Sequence, residues 1–359
     1  MSGGILAGLR LVEAAAFVAA PLGGMTLAQM GADVIRIDAL GGGLDHRRWP
    51  VTEDGTSLFW CGLNKSKRSV ALDLSSPEGR ELAMAIACAP GDDAGIFLTN
   101  FPPRGWLDHE KLKTRRSDLI QLTLQGDRHG GSAVDYTVNA RLGLPYMTGP
   151  AGGEDAVNHV LPAWDIAAGL YLATGLLAAE RARRLDGKGR QVSLALSDVM
   201  LASVGNLGYI ADVQVNGAVR PPLGNDLYGA LGRDFATADG RHVMIVAISN
   251  RQWRAIGRAT GLTEKLAMIG PLMDVDLDTE GGRFTARAAH QRSSTAKIAA
   301  RAVNRPPSVS RSTSISGPII ASFSARPVAR PMACHCRLEI ATIMTCRPSA
   351  VAKSRPSAP

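Results

Sequence analysis

Residues 9–38, LRLVEAAAFVAAPLGGMTLAQMGADVIRID, read as strand, turn, helix and strand. The two ends, LRLVEA and ADVIRID, are short runs rich in branched apolar residues. PLGGMTLAQMG between them suits a helix opened by Pro21. Asp38 closes the second run, as an acid does in a dinucleotide-binding unit. APLGGM, however, lacks the three-glycine spacing that lets a pyrophosphate approach a helix start, which argues against a dinucleotide-dependent dehydrogenase.

The pattern continues downstream. SVALDL (69–74) is strand-like, and SSPEGRELAMAIACA (75–89) is helix-like. There Ser75 or Ser76 serves as cap, Pro77 takes the first helical position and Glu78 lies at the positive end. AGIFLTN (94–100) and DLIQLTL (118–124) add two more strands. Such alternation predicts an α/β, Rossmann-like large domain built on a parallel sheet. DFATADGRHVMIVAIS (234–249) carries Asp239-Gly240 between two strand-like runs, a hairpin signal assigned to a smaller α+β domain. The expected boundaries are 1–205 for the large domain, 206–225 for a linker, 226–285 for the start of the small domain and 286–359 for an aberrant tail.

Charge is unevenly placed. Residues 283–359 hold 13 of the 40 Lys and Arg but one acid, Glu339, leaving 27 basic and 31 acidic residues in 1–282. The basic balance therefore belongs to the tail and gives no reason to expect a nucleic-acid face on the folded part. The same tail has 8 prolines, 12 serines, one of the 39 glycines and three of the five cysteines, without a period of 2 or 3.6. Disordered segments favour Glu, Lys and Gln, which are nearly missing here, so the composition points to a translated wrong reading frame. CHC (334–336) lacks the paired spacing of a zinc site, and no metal is expected. No apolar run reaches the roughly 18–20 residues of a membrane span, and the N-terminus lacks a basic leader. The expected compartment is the cytoplasm, with Cys61 and Cys88 reduced and buried.

In VLPAWDIAAGLYLATGLLAAE (160–180), Asp165 stands alone among apolar and small residues until Glu180. Taken locally it is an excellent helix cap, since an apolar helix over 166–180 follows at once. A carboxylate nucleophile would leave the same signature, and the two roles are compatible.

The order of these motifs resembles that of the family III CoA-transferases. Residues 9–38 are similar to the family's opening strand, turn, helix and strand, and NKSKRSVALDLSSPEGRELAMAIA (64–87) to its next segment. LTNFPPRGWL (98–107), LTLQGDRHGG (122–131) and DIAAGLYLATGLLAAERARRLDGKGRQVSLALSDVML (165–201) follow in the family's sequence, and the resemblance covers about 5–282. Within the family, QGDRHGGSAVDYTVNARLGLPYMTG (125–149) and GNDLYGALGRDFATADGRHVM (224–244) are most similar to the branch that isomerises 2-methylfumaryl-CoA (mesaconyl-CoA). No glycine run of the formyl-CoA type follows PPLGNDLYG, and Val134 stands where racemases have a histidine. Intermolecular acyl-CoA:carboxylate transfer, racemisation and an inactive homologue are the alternatives.

The resemblance implies that Asp165 is the nucleophile, with backbone amides at the start of its helix as oxyanion donors. It also implies that Leu72, Asp73, Asn100 and Phe101 line the nucleotide part of coenzyme A. Arg104 corresponds to a family arginine, with the loop about four residues shorter. The arginine the family has after its second strand is Ala39 here, and Arg47 or Arg48 can substitute. Those two, Lys65 and Lys67 are otherwise solvated charges. Asp135 and Tyr136 are weaker pocket residues, and His129 and His159 bystanders. The implied partners are an acyl-CoA thioester, a dicarboxylic acid and a second copy of the chain. No cofactor beyond coenzyme A is implied.

Overall fold

The computed structural model describes residues 4–226, 231–236, 239–274, 276, 279, 282, 319–323 and 345–347. Five strands follow the alternation read above: β1 (Arg10–Ala14), β2 (Asp33–Ala39), β3 (Arg68–Leu72), β4 (Ile96–Thr99) and β5 (Ile120–Gln125). A sixth, β6 (Arg190–Ala195), completes a run of parallel neighbours in the order β6-β5-β4-β1-β2-β3. β7 (Leu231–Ala236), β8 (His242–Ala247) and β9 (Ile319–Phe323) form a separate antiparallel sheet, and β10 (Thr345–Arg347) lies antiparallel against β6. The turn between β7 and β8 contains Asp239-Gly240, with Gly240 at φ +76°.

The chain divides into two compact units. One comprises Met1–Leu144, Asn158–Val219 and Glu339–Pro359; the other comprises Pro145–Val157 and Arg220–Leu338. The first is a three-layer α/β unit. Leu11, Ile96, Leu98, Ile120, Leu122 and Val192 pack on one face of the sheet with helices Ala19–Gln29, Ala163–Asp186 and Leu196–Asn206. Val12, Ile37, Phe97 and Leu119 pack on the other with helix Pro77–Ala87. In the second unit, β7–β9 accompany helices Asn250–Thr260 and Thr263–Met273, an α+β arrangement.

Helices Ala19–Gln29 and Ala163–Asp186 meet at two glycines. A Cβ on Gly169 would lie 2.7 Å from the Ala19 carbonyl oxygen, and one on Gly23 would lie 3.0 Å from the Gly169 carbonyl oxygen. Backbone therefore packs on backbone, and only hydrogen side chains fit. The first helix starts at Ala19, two residues before the expected Pro21. The second extends beyond the expected 166–180 at both ends and closes on Gly187 at φ +71°.

Under the Ala19–Gln29 helix lies a buried ion cluster. Arg36 donates to Glu13 (3.1 Å), Asp38 (2.9 Å) and Asn64 (3.1 Å), and Lys67 Nζ donates to Glu13 (2.8 Å) and the Pro21 carbonyl (2.8 Å). Gly24 makes the room: a Cβ there would overlap a Glu13 carboxylate oxygen at 1.9 Å. Burial drives the Glu13 carboxyl above its ordinary value against the pull of Lys67 and Arg36. Burial also draws the Lys67 ammonium below its ordinary value against the pull of Glu13. Lys67 is thus not the solvated charge considered from sequence; its side chain is 1 % exposed. Cys61 is exposed and Cys88 half-buried, correcting the expectation that both are buried.

Candidate functional site

From β1 the chain builds β2 and β3 on one side, then crosses back to β4 on the other. That reversal opens a crevice at the carboxyl ends of β1 and β4, the place where open parallel sheets bind ligands. Asn100, directly after β4, closes it by a double clamp: Ala16 N–H donates to its Oδ1 (3.0 Å) and its Nδ2 donates to the Ala16 carbonyl (2.8 Å). Phe17 takes a left-handed backbone, φ 68°, and donates its N–H to buried Asp45 (2.8 Å). The conformation is costly for a bulky residue, and the two flanking hydrogen-bonding side chains hold it.

Leu72 and Asp73 lie at the same edge, at the end of β3. Leu72 is buried in the apolar cluster against which Phe101 packs. Asp73 is exposed, and hydrogen bonds from Ser75 hold its carboxyl below the usual range. Ser76, rather than Ser75, caps the Pro77–Ala87 helix. Arg104 is exposed just before the short helix Gly105–Leu107. Arg47 lines a cavity of about 490 Å³ with His46, Asp54, Ser57, Trp60 and Cys61. Its neighbour Arg48 is held over two rings, with its guanidinium 5.4 Å from the Phe17 centroid and 4.9 Å from that of Phe59.

Asp165 is the third residue of the Ala163–Asp186 helix, in its first turn, and Pro162 is the capping position. It is not the cap considered from sequence. That role belongs to Asp135, whose Oδ2 accepts from both Trp164 N–H (2.7 Å) and Asp165 N–H (3.0 Å). Asp135 is 2 % exposed, and its Oδ1 pairs with His159 Nε2 at 2.7 Å. In the tautomer protonated on Nε2, His159 donates to it. The remaining first-turn amides are also engaged, Ala163 by the Leu161 carbonyl and Ile166 by that of Pro162. The expected oxyanion donors at this helix start are therefore already occupied.

A short polar chain fixes the surroundings. Trp164 Nε1 donates to Asn139 (3.0 Å), whose amide donates to Asn158 (2.9 Å), and the His159 ring meets Tyr136 edge-on at 5.6 Å. Tyr136 is exposed, and its hydroxyl reaches the Val160 carbonyl at 3.4 Å. His129 is exposed in a loop tied by Asp127, and Lys65 is exposed. Sequence reasoning placed His159 among the bystanders; its contact with Asp135 joins residues 24 positions apart and leaves no local signal.

Burial, followed by the nearby Asp135 charge, raises the Asp165 carboxyl to about 6, while Arg48 pulls it down. No hydrogen bond to its side-chain oxygens occurs among the described residues. An anionic carboxylate so placed keeps its lone pairs for a carbon electrophile, and its raised basicity strengthens it as a nucleophile. Among the described residues no cluster of ligands could hold a metal, and no helix is long and apolar enough to cross a membrane.

The chain is 61 % identical over 285 residues to the 2-methylfumaryl-CoA isomerase of Chloroflexus aurantiacus, covering 79 % of this chain and 70 % of that enzyme. It is 32 % identical over 308 residues to the succinate–glutarate CoA-transferase of Agrobacterium fabrum, covering 80 % and 71 %. A CAIB/BAIF family protein from Brucella suis shares the fold with a TM-score of 0.66 and 26 % identity, over 84 % of this chain and 79 % of that one. The model of CoA-transferase family III matches residues 6–309, past position 282 where the motif resemblance stopped. The chain belongs to CoA-transferase family III.

Proposed function

We propose that the chain moves coenzyme A from one carboxyl group to the other of a single dicarboxylic acyl group, with 2-methylfumaryl-CoA as substrate and Asp165 as nucleophile. The observation that carries this is the 61 % identity to an isomerase of that thioester. A half-buried carboxylate with free lone pairs beside the crevice supplies the chemistry.

The Asp165 carboxylate attacks the thioester carbonyl, the C–S bond breaks, and a mixed anhydride and CoA thiolate form. The thiolate attacks the aspartyl carbonyl, the anhydride C–O bond breaks, and aspartyl-CoA and the free dicarboxylate result. The second carboxylate of the acid then attacks aspartyl-CoA, again expelling thiolate. That thiolate attacks the acyl carbonyl of the new anhydride, which returns Asp165 as carboxylate. No proton is consumed, so the site needs neither an acid nor a base. Coenzyme A is the group carried, and no other cofactor enters the scheme.

Leu72, Asp73, Asn100 and Phe101 line the nucleotide portion in this reading, with Arg47 and Arg104 serving its phosphates. The working unit is a homodimer in the cytoplasm. The basic, acid-poor stretch from about residue 286 is read as a shifted frame, on its composition. Resequencing the locus tests that, and an uninterrupted native frame overturns it.

The functional test follows 2-methylfumaryl-CoA with and without labelled free 2-methylfumarate. Isomerisation without label uptake is expected. Rapid label uptake would favour intermolecular transfer, the reading that the likeness to a succinate–glutarate enzyme supports.

A further inference from the structure

A guanidinium stacked between two aromatic rings keeps its edge N–H groups for another partner. Arg48 is in that position. Its guanidinium rests over Phe17 and Phe59, and no carboxylate pairs with it among the described residues. Both supports are fixed. Phe17 N–H is bonded to buried Asp45, which itself meets Arg36 at 3.4 Å. The backbone of Arg48 is held by the Ser57 hydroxyl, which bonds its carbonyl oxygen, and Ser57 caps the helix Leu58–Leu63 that carries Phe59. Asp165 lies one helical turn before Gly169, which packs on the Ala19 carbonyl two residues past Phe17, and the Arg48 charge pulls the Asp165 carboxyl down. A preorganised cation beside a nucleophile suits a ligand that brings a second negative group to the same place.

We propose that Arg48 is the specificity-determining residue that reads the carboxylate not joined to coenzyme A, by a forked ion pair. This rests on the reading of Asp165 as nucleophile and of a dicarboxylic acyl group as substrate. Before the first attack Arg48 holds the free carboxylate, which orients the thioester carbonyl toward Asp165. Once the dicarboxylate is released onto the site, the carboxylate just freed from coenzyme A replaces the first at Arg48, and the one Arg48 first held is presented to aspartyl-CoA. The ion pair is the tether that keeps the acid from leaving between half-reactions. The assignment differs from a phosphate ligand, which would serve every CoA thioester alike.

The test compares wild type, Arg48→Ala and Arg48→Lys in the full chain. Equilibrium dialysis measures binding of 2-methylfumarate, of crotonate (the same chain length with one carboxylate) and of free CoA. Mass spectrometry measures the rate of the CoA adduct on Asp165 from 2-methylfumaryl-CoA and from crotonyl-CoA. Loss of one partner of a charge pair predicts that Arg48→Ala weakens dicarboxylate binding by roughly 30-fold or more, with Arg48→Lys in between. Adduct formation from the dicarboxylic thioester is expected to fall in parallel. Crotonate binding, crotonyl-CoA labelling and CoA affinity are expected to stay within about twofold of wild type. Unchanged dicarboxylate binding in Arg48→Ala overturns the proposal, and so does an equal loss for free CoA, which marks a phosphate ligand. Failure of the nucleophile reading shows separately, as an adduct that survives in Asp165→Ala.

Discussion

Asp135 Oδ2 accepts the backbone N–H of Asp165 at 3.0 Å, so one carboxylate positions the residue that carries the other. The same oxygen takes the Trp164 N–H, and the negative charge that caps the helix also lifts the Asp165 carboxyl. A helix start ordinarily acidifies a carboxylate; here the capping acid cancels that influence. Asp135→Asn keeps the shape and removes the charge. The Asp165 carboxyl should then titrate below about 6, and the acid limb of the pH–rate profile for adduct formation should move to lower pH. Asp135→Ala leaves two amides unpaired and should cost about 2–4 kcal/mol in urea denaturation. An unmoved acid limb in Asp135→Asn would refute the electrostatic coupling.

The raised value at Asp165 has a definite sign for stability. The folded state holds its proton more tightly than the unfolded chain, so this contribution is favourable at low pH and is lost as pH rises to about 6. Above that pH the ionised, half-buried Asp165 carboxylate destabilises the fold by about 2–3 kcal/mol. Asp165→Asn should therefore melt higher than wild type at pH 7.5 and equal to it near pH 3.5, while forming no adduct. Adduct formation by wild type should drop tenfold per pH unit below about 6.

Lys67 is, with Arg36, one of the two counter-charges that let Glu13 stay buried. Lys67→Met leaves that carboxylate to Arg36 alone and should cost about 2–4 kcal/mol at pH 7. Folded Glu13 then titrates higher still, so the loss should be smallest in acid and grow with pH. The double change Lys67→Met with Glu13→Gln removes both charges and should recover a large part of the stability, as read by thermal melts of all four chains.

Gly169→Ala inserts a methyl group 2.7 Å from the Ala19 carbonyl oxygen. The expected cost is about 1–3 kcal/mol, the usual range for overpacking. Because Asp165 sits one turn earlier on that helix, adduct formation should fall by more than the folded fraction does. A variant with wild-type labelling per folded molecule would show that the helix tolerates displacement.

The parallel core was legible because each strand from β1 to β5 is a short branched-apolar run, and Ser76-Pro77 announces a helix start chemically. β6 was passed over: in RQVSLA only Val192, Leu194 and Ala195 are buried, so it lacks the apolar run that marks β4. Asp165 stood out as a charge in an apolar stretch, yet its helix position was misjudged, since the cap comes from thirty residues upstream. Lys67 sits in NKSKRS, a stretch that reads as a polar loop, and only a fold that brings Glu13 against it makes it a core residue. Contacts of this length have no local period and appear only with the tertiary structure.

The glycine crossing of the two long helices has a consequence for how this site can drift over evolutionary time. Where helices touch through side chains, each exchange of a large residue resets their spacing by fractions of an ångström. Here the datum is one main chain resting on another at Gly23 and Gly169. Core residues farther away can therefore be replaced with little disturbance to where Asp165 stands.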